Sequence, residues 1–140
     1  MAVTPHLLRD VRDEIEARLP QVCVPVPRLV RMVRVLAGDG LKVAVVTNNT
    51  ISITVLALSY SGLRASMSAI VCGEDGLPKP APNLWLQAAQ LVGVPPASCL
   101  AVDNAPLFLR AVRPFRMVTL CTSMPQLCYE QIRARCDKEA

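Results

Sequence analysis

The sequence predicts an α/β domain: a parallel sheet with helices on both faces. Three observations carry this. Short apolar runs recur at positions 43–46, 69–72, 99–102 and 117–121, the first of them rich in β-branched residues. Segments with apolar residues at three- and four-residue spacing lie around and between them, and such strand–helix alternation marks parallel units with covered faces. The chain has 140 residues, of which 52% are hydrophobic and 19% charged, enough for one real core and the wrong balance for a disordered chain.

The elements follow in order. Thr4 before Pro5 is an N-cap followed by proline at the first helical position, and Leu8, Val11, Ile15 and Leu19 then share a face. This predicts an amphipathic helix ending near Pro20. Residues 21–27 form a Pro/Val connector. Pro27 opens a second helix with Leu29, Met32, Val33 and Leu36 on one face, closed by Gly38-Asp39-Gly40. Arg28, Arg31 and Arg34 lie elsewhere on that helix. The plain expectation is a solvated face, and the alternative is a docking surface for an acidic partner.

Residues 42–47 read as a strand buried on both sides. Asn48-Asn49-Thr50 begins a helix reaching about Ser61. A second buried strand is expected over 69–72, then a loop over 78–82 leading into a helix with Leu84, Trp85, Ala88, Leu91 and Val92. A third strand over 99–102 ends at Asp103-Asn104. A helix over 106–112, a fourth strand over 117–121 and a closing helix over 127–136 complete the chain.

Charge and cysteine content narrow the function classes. Fifteen Lys+Arg against eleven Asp+Glu give a formal charge of +4, and the arginines are spread along the chain, so a nucleic-acid partner is not indicated. Cys23, Cys72, Cys99, Cys121, Cys128 and Cys136 include no C-x-x-C pair and have no histidine nearby, which argues against zinc. Cys72, Cys99 and Cys121 lie in or beside apolar runs and read as small buried hydrophobes. The expected location is a reducing, intracellular compartment, cytoplasm or organelle. Arg9, Asp10, Arg12 and Asp13 interrupt any secretory apolar segment, and Thr47-Asn48-Asn49-Thr50 breaks the charge-free stretch between Lys42 and Arg64, so no membrane span is expected.

In parallel sheets ligands bind beyond the carboxyl ends of the strands. Three features fall there. Thr47 ends the first strand, with Asn48 and Asn49 following, and a hydroxyl beside helix-terminal N–H groups suits a phosphate. Lys79, held between Pro78 and Pro80, places an ammonium at the same edge. Asp103 ends the third strand, where a carboxylate suits a hard cation such as Mg²⁺. Taken singly, each has a plain structural alternative: a helix cap, a surface lysine, a turn residue.

Their order and spacing add to this. Val43-Ala44-Val45-Val46-Thr47-Asn48, Gly76-Leu77-Pro78-Lys79-Pro80-Ala81-Pro82-Asn83, and the segment from Gly93-Val94-Pro95-Pro96 to Val102-Asp103-Asn104 together resemble the haloacid dehalogenase superfamily, in its phosphoglycolate phosphatase and β-phosphoglucomutase branch. The resemblance covers about residues 24–121. It implies a three-layer, Rossmann-like fold. It also implies that Thr47, with Asn48, and Lys79 are phosphate-site positions, and that Asp103 is a metal position.

Two departures shape the functional expectation. The family's nucleophile stands in an Asp-x-Asp pattern on an N-terminal strand, and nothing here fits: Asp10 and Asp13 lie on the first helix, and Asp39 lies in a glycine turn. At the acidic motif Asn104 stands where the family has its second acid, and Ala105 replaces a serine. The resemblance therefore implies no complete catalytic set. No cofactor is expected, and Mg²⁺ only if a partner supplies the missing aspartates. Residues 1–22 are read as an N-terminal helix, a cap remnant or docking helix, and 23–140 as an incomplete core lacking the family's central first strand.

That strand would lie between those ending at Thr47 and Asp103. Without it, either the flanking strands pair directly, or the Val22-Cys23-Val24 connector moves in, or another polypeptide inserts a strand beside residues 43–47. The last is favoured because the flanking runs are so apolar, whereas Pro25 argues against the connector. The expected function is that of a catalytically inactive structural or interaction subunit of a larger assembly. One alternative is a Mg²⁺-dependent phosphatase whose nucleophile segment comes from another chain or fragment; the other is a phospho-ligand binding module.

Overall fold

A computed structural model describes residues 4–121. The closing helix expected over 127–136, with Cys128 and Cys136, lies outside the described residues. Helix α1 (Pro5–Val22) starts as its sequence dictates: Thr4 Oγ1 accepts from the Leu7 N–H at 3.2 Å, and Pro5 occupies the first turn. It ends near Pro20, as expected, with one short extension to Val22. Proline removes only its own donor, and the Cys23 N–H still reaches the Leu19 carbonyl at 2.8 Å, so the last turn closes.

Helix α2 (Pro27–Gly38) buries Met32 and Leu36. Strand β1 (Ala44–Val46) follows, then helix α3 (Ile51–Tyr60), strand β2 (Ala69–Val71), helix α4 (Asn83–Val92), strand β3 (Leu100–Asp103), helix α5 (Pro106–Arg110) and strand β4 (Val118–Cys121). The hydroxyl of Thr50 caps α3, accepting from the Ile53 N–H. Gly93 closes α4 in the left-handed region at φ 70°, which glycine adopts without a Cβ penalty.

The chain forms an α/β fold with parallel strand pairs. β1 pairs with β2, Val45 opposite Ile70, and β3 pairs with β4, Ala101 opposite Thr119. Among the described residues these remain two separate two-stranded sheets, with no ladder joining β1 to β3. Side chains bridge them instead. On one face Met32 and Leu36 pack against Val43, Leu100, Val102 and Leu120. On the other, Trp85, Ala89, Ala101, Leu109, Val112 and Met117 cluster with Val46 against them. Val71, Leu84 and Ala88 continue this second layer beneath α4.

The split corrects one expectation. Residues 42–47 were expected to be buried on both sides, yet Lys42 is exposed and 43–47 are only half-buried, because β1 has a neighbouring strand on one edge alone. Of the two neighbouring strand ends, Val71 and Cys72 are fully buried. Cys121 is exposed rather than buried, at the end of β4, and Cys99 is half-buried. The connector at 23–26 forms no strand.

Candidate functional site

The carboxyl ends of β1 and β3 and the loop after β2 meet at one place. Thr47 extends β1 by donating its N–H to the Val71 carbonyl at 3.0 Å, and its Oγ1 accepts from the Asn49 N–H at 3.1 Å. The chain then turns, and Asn48 reaches across to the proline-flanked loop. Its Oδ1 accepts from the Lys79 N–H at 2.7 Å and its Nδ2 donates to the Lys79 carbonyl at 3.1 Å. One carboxamide thus satisfies both main-chain groups of Lys79, in a segment where Pro78 and Pro80 cannot donate. The Lys79–Pro80 peptide is cis.

With its backbone held, Lys79 points inward. Its Nζ lies 2.7 Å from Asp103 Oδ2, and the two side chains are only 9% and 10% exposed. The other carboxylate oxygen accepts from the Ala105 N–H at 2.9 Å. The ammonium also sits 4.7 Å from the centre of the Phe108 ring and 5.2 Å from that of Trp85, both within cation–π range. Trp85 Nε1 is buried with no partner among the described residues. A charge pair so far from water is held by the geometry around it, and removing either member leaves the other uncompensated.

Other carboxylates near this edge are also engaged. Glu74 Oε2 accepts from the Ile51 N–H at 2.6 Å, tying the loop after β2 to the start of α3. Asp75 Oδ2 accepts from the Cys72 N–H at 2.6 Å. Gly73 packs against the turn at Asn48: a Cβ there would stand 2.5 Å from the Asn48 carbonyl oxygen. The loops therefore form one interlocked unit. Burial pushes the neighbouring Cys72 thiol above its ordinary value; its contact with the Thr54 hydroxyl opposes this, and Asp75 and Glu74 add to it.

Of the residues singled out in the sequence, Asn48, Lys79 and Asp103 form a continuous chain of contacts, with Thr47 adjoining Asn48. Asn104 is exposed, and its carbonyl receives only a weak contact from the Cys121 thiol at 3.8 Å. Sequence reasoning missed the aromatic roof. Trp85 reads as a helix-face core residue, and Phe108 stands out in no pattern, so their meeting over Lys79 is visible only in three dimensions. Gly73 and Glu74 carried no motif either.

Mg²⁺ requires near-octahedral oxygen coordination, supplied in part by carboxylates. Here one carboxylate, paired with lysine and bonded through both oxygens, is followed in the chain by the exposed Asn104. Among the described residues no three His, Cys, Asp or Glu side chains gather to hold a metal. This donor set does not fit the ion by itself.

A parallel α/β fold with a strand-end threonine, a proline-flanked lysine and a strand-end aspartate defines a phosphotransferase- or phosphatase-like architecture. The chain belongs to the haloacid dehalogenase-like hydrolase family, whose family model matches residues 2–106. It is 32% identical over 111 residues to the fructose-1-phosphate phosphatase YqaB of Escherichia coli, covering 78% of this chain and 58% of that protein. It is 28% identical over 91 residues to the protein CbbY of Rhodobacter capsulatus, covering 62% and 40%. A third match, 28% over 100 residues, is to the chloroplastic protein SUPPRESSOR OF QUENCHING 1 of Arabidopsis thaliana, of which this chain spans 10%. The chain thus spans less than two thirds of each of these relatives.

Solved structures agree on the fold. A phosphatase of this superfamily from Thermococcus onnurineus superposes with a TM-score of 0.74 at 18% identity, covering 89% of this chain and 63% of that one. CbbY from Rhodobacter sphaeroides, in complex with phosphate, gives 0.70 at 18% identity, covering 86% and 58%.

Proposed function

We propose that this chain is a haloacid dehalogenase-like core that does not catalyse phosphoryl transfer by itself and acts as a structural or interaction subunit of a larger assembly. The observation that supports this most is the engagement of the carboxylates around the strand-end site. Asp103 is paired with Lys79, Glu74 with the Ile51 N–H and Asp75 with the Cys72 N–H. Covalent catalysis needs a carboxylate oxygen free to attack, and a second to move the proton. Thr47, Asn48 and Lys79 can orient an anion but cannot replace that oxygen. The test is turnover of p-nitrophenyl phosphate by the purified chain with Mg²⁺. No rate above buffer is expected, and a rate abolished by Lys79→Ala would overturn the reading.

A second reading draws on the split sheet. β1 and β3 each have one laddered edge and a half-buried apolar surface, and side chains of α2 and α4 pack against both strand pairs. An edge without a ladder suits an added strand from another polypeptide beside residues 43–47. If that strand carried an Asp-x-Asp pair, it would supply both the nucleophile and the carboxylates that Mg²⁺ lacks here. Mixing the chain with an apolar peptide bearing Asp-x-Asp distinguishes the two. New amide-exchange protection over 43–47 without hydrolysis supports the structural role, whereas Mg²⁺-dependent hydrolysis supports the split enzyme. Calorimetry with a phosphate ester alone addresses a pure binding role.

A further inference from the structure

The arginines of α2 take no part in the strand-end site, and the groove beside them is separate from it. Successive α-helical residues turn by about 100°, so Leu29, Met32, Val33 and Leu36 face the core, while Val30, Arg31, Arg34 and Val35 share the opposite face. Two valines thus stand on the side that the core does not use. That face, with Pro25 and Pro27 of the connector, lines an open groove of about 500 Å³ that reaches Ser61 at the end of α3. Val35 is 44% exposed there, and Val24 and Val26 beside the groove are exposed as well.

The electrostatics are one-sided. Helix α2 carries no acidic residue, and neither Arg28 nor Arg31 meets a carboxylate among the described residues. Arg34 is held by its Nη2–H donating to the Gly62 carbonyl at 3.0 Å, which fixes one guanidinium at the groove wall, and among the described residues it pairs with no carboxylate. Arg31 lines the same groove three residues earlier.

We propose that this groove is a docking surface for an acidic protein segment bearing an aliphatic side chain, the aliphatic group seated against Val30, Val35 and the two prolines and the carboxylates set against Arg31 and Arg34. Charge complementarity selects the acid, and the apolar wall selects a peptide over a nucleic acid: among the described residues the groove's lining has no aromatic side chain on which a base could stack and no lysine. The surface is independent of the phosphate-site reading, since none of its residues belongs to that site.

The probe is a fluorescent peptide of about ten residues alternating Glu and Leu, followed by anisotropy against the whole chain, with a Gln-for-Glu version and a single-stranded oligonucleotide of similar length as competitors. The Glu peptide is expected to bind about tenfold more tightly than the Gln peptide, to weaken as salt is raised, and to lose about tenfold with Arg31→Glu. Val35→Asp should weaken it as well, whereas Arg110→Glu, on α5 and away from the groove, should not. Arg31 and Val35 are exposed, so both variants keep the fold, which an unchanged melting temperature verifies. Equal binding of the Glu and Gln peptides, equal loss with Arg110→Glu, or displacement by the oligonucleotide at equal concentration would overturn the proposal.

Discussion

The two sides of the strand-end site are built to different degrees. On the side of β1 and the loop after β2, main-chain groups do most of the positioning: the Asn48 carboxamide holds both backbone groups of Lys79, Gly73 lets the loop approach Asn48, and Glu74 fixes the start of α3. On the β3 side a single carboxylate remains, and it faces the lysine. The difference teaches that the geometry on the first side is tied into the fold through main-chain contacts, so it persists as long as the fold does. The carboxylate side rests on one side-chain pair, Asp103 with Lys79, and the next position, Asn104, carries an exposed side chain.

The strongest way to break this comparison is to separate the two sides. Lys79→Ala or Asp103→Ala leaves a nine-tenths-buried charge without its partner and should cost about 3 kcal/mol in urea unfolding. The double variant Lys79→Met/Asp103→Leu should recover most of that loss, since no charge is then stranded. If the single variants cost nothing, the pair does not hold the two sides together.

Next in size is the close approach on the β1 side. Gly73→Ala would place a Cβ 2.5 Å from a backbone oxygen that cannot swing away. A loss of about 2 kcal/mol is expected by thermal melting, since the loop must shift to relieve the overlap. Asn48→Ala sharpens the same side with less force. It removes two partly solvated hydrogen bonds and should cost about 1 kcal/mol, with faster amide exchange at Lys79 as its local signature.

The smallest effect is a pH dependence. The Cys72 thiol is raised above its ordinary value of 9.0 chiefly by burial, and burial raises Cys99 as well. The folded chain therefore keeps protons that the unfolded chain releases, so the stability is present below that ordinary value and declines as the pH climbs through the raised one. Cys72→Ala should flatten part of that decline in denaturation curves recorded from pH 9.0 upward, where the unfolded thiol loses its proton before the folded one.

Much of the fold was legible because it is local. Thr4-Pro5 started α1, and short apolar runs marked the four strands, each through patterns spanning a few residues. The candidate site was legible in its members and not in its wiring. Thr47, Asn48, Lys79 and Asp103 stood out as strand-end residues, but that Lys79 would pair with Asp103 beneath Trp85 and Phe108 depends on how loops separated by more than twenty residues meet.

By itself, the order of residues determined which segments are helix and which are strand, the parallel sense of their pairing, and the lack of an Asp-x-Asp pair anywhere in these 140 positions. Those properties follow from periodicity and composition, which act over one or two turns. Only the tertiary structure decided that the strands form two separate pairs bridged by side chains, that residues 43–47 are half-buried, and that Asp103 neutralises a lysine. The reason is range: burial and charge pairing are set by whatever lies across the interior, and no stretch of sequence states its own neighbours.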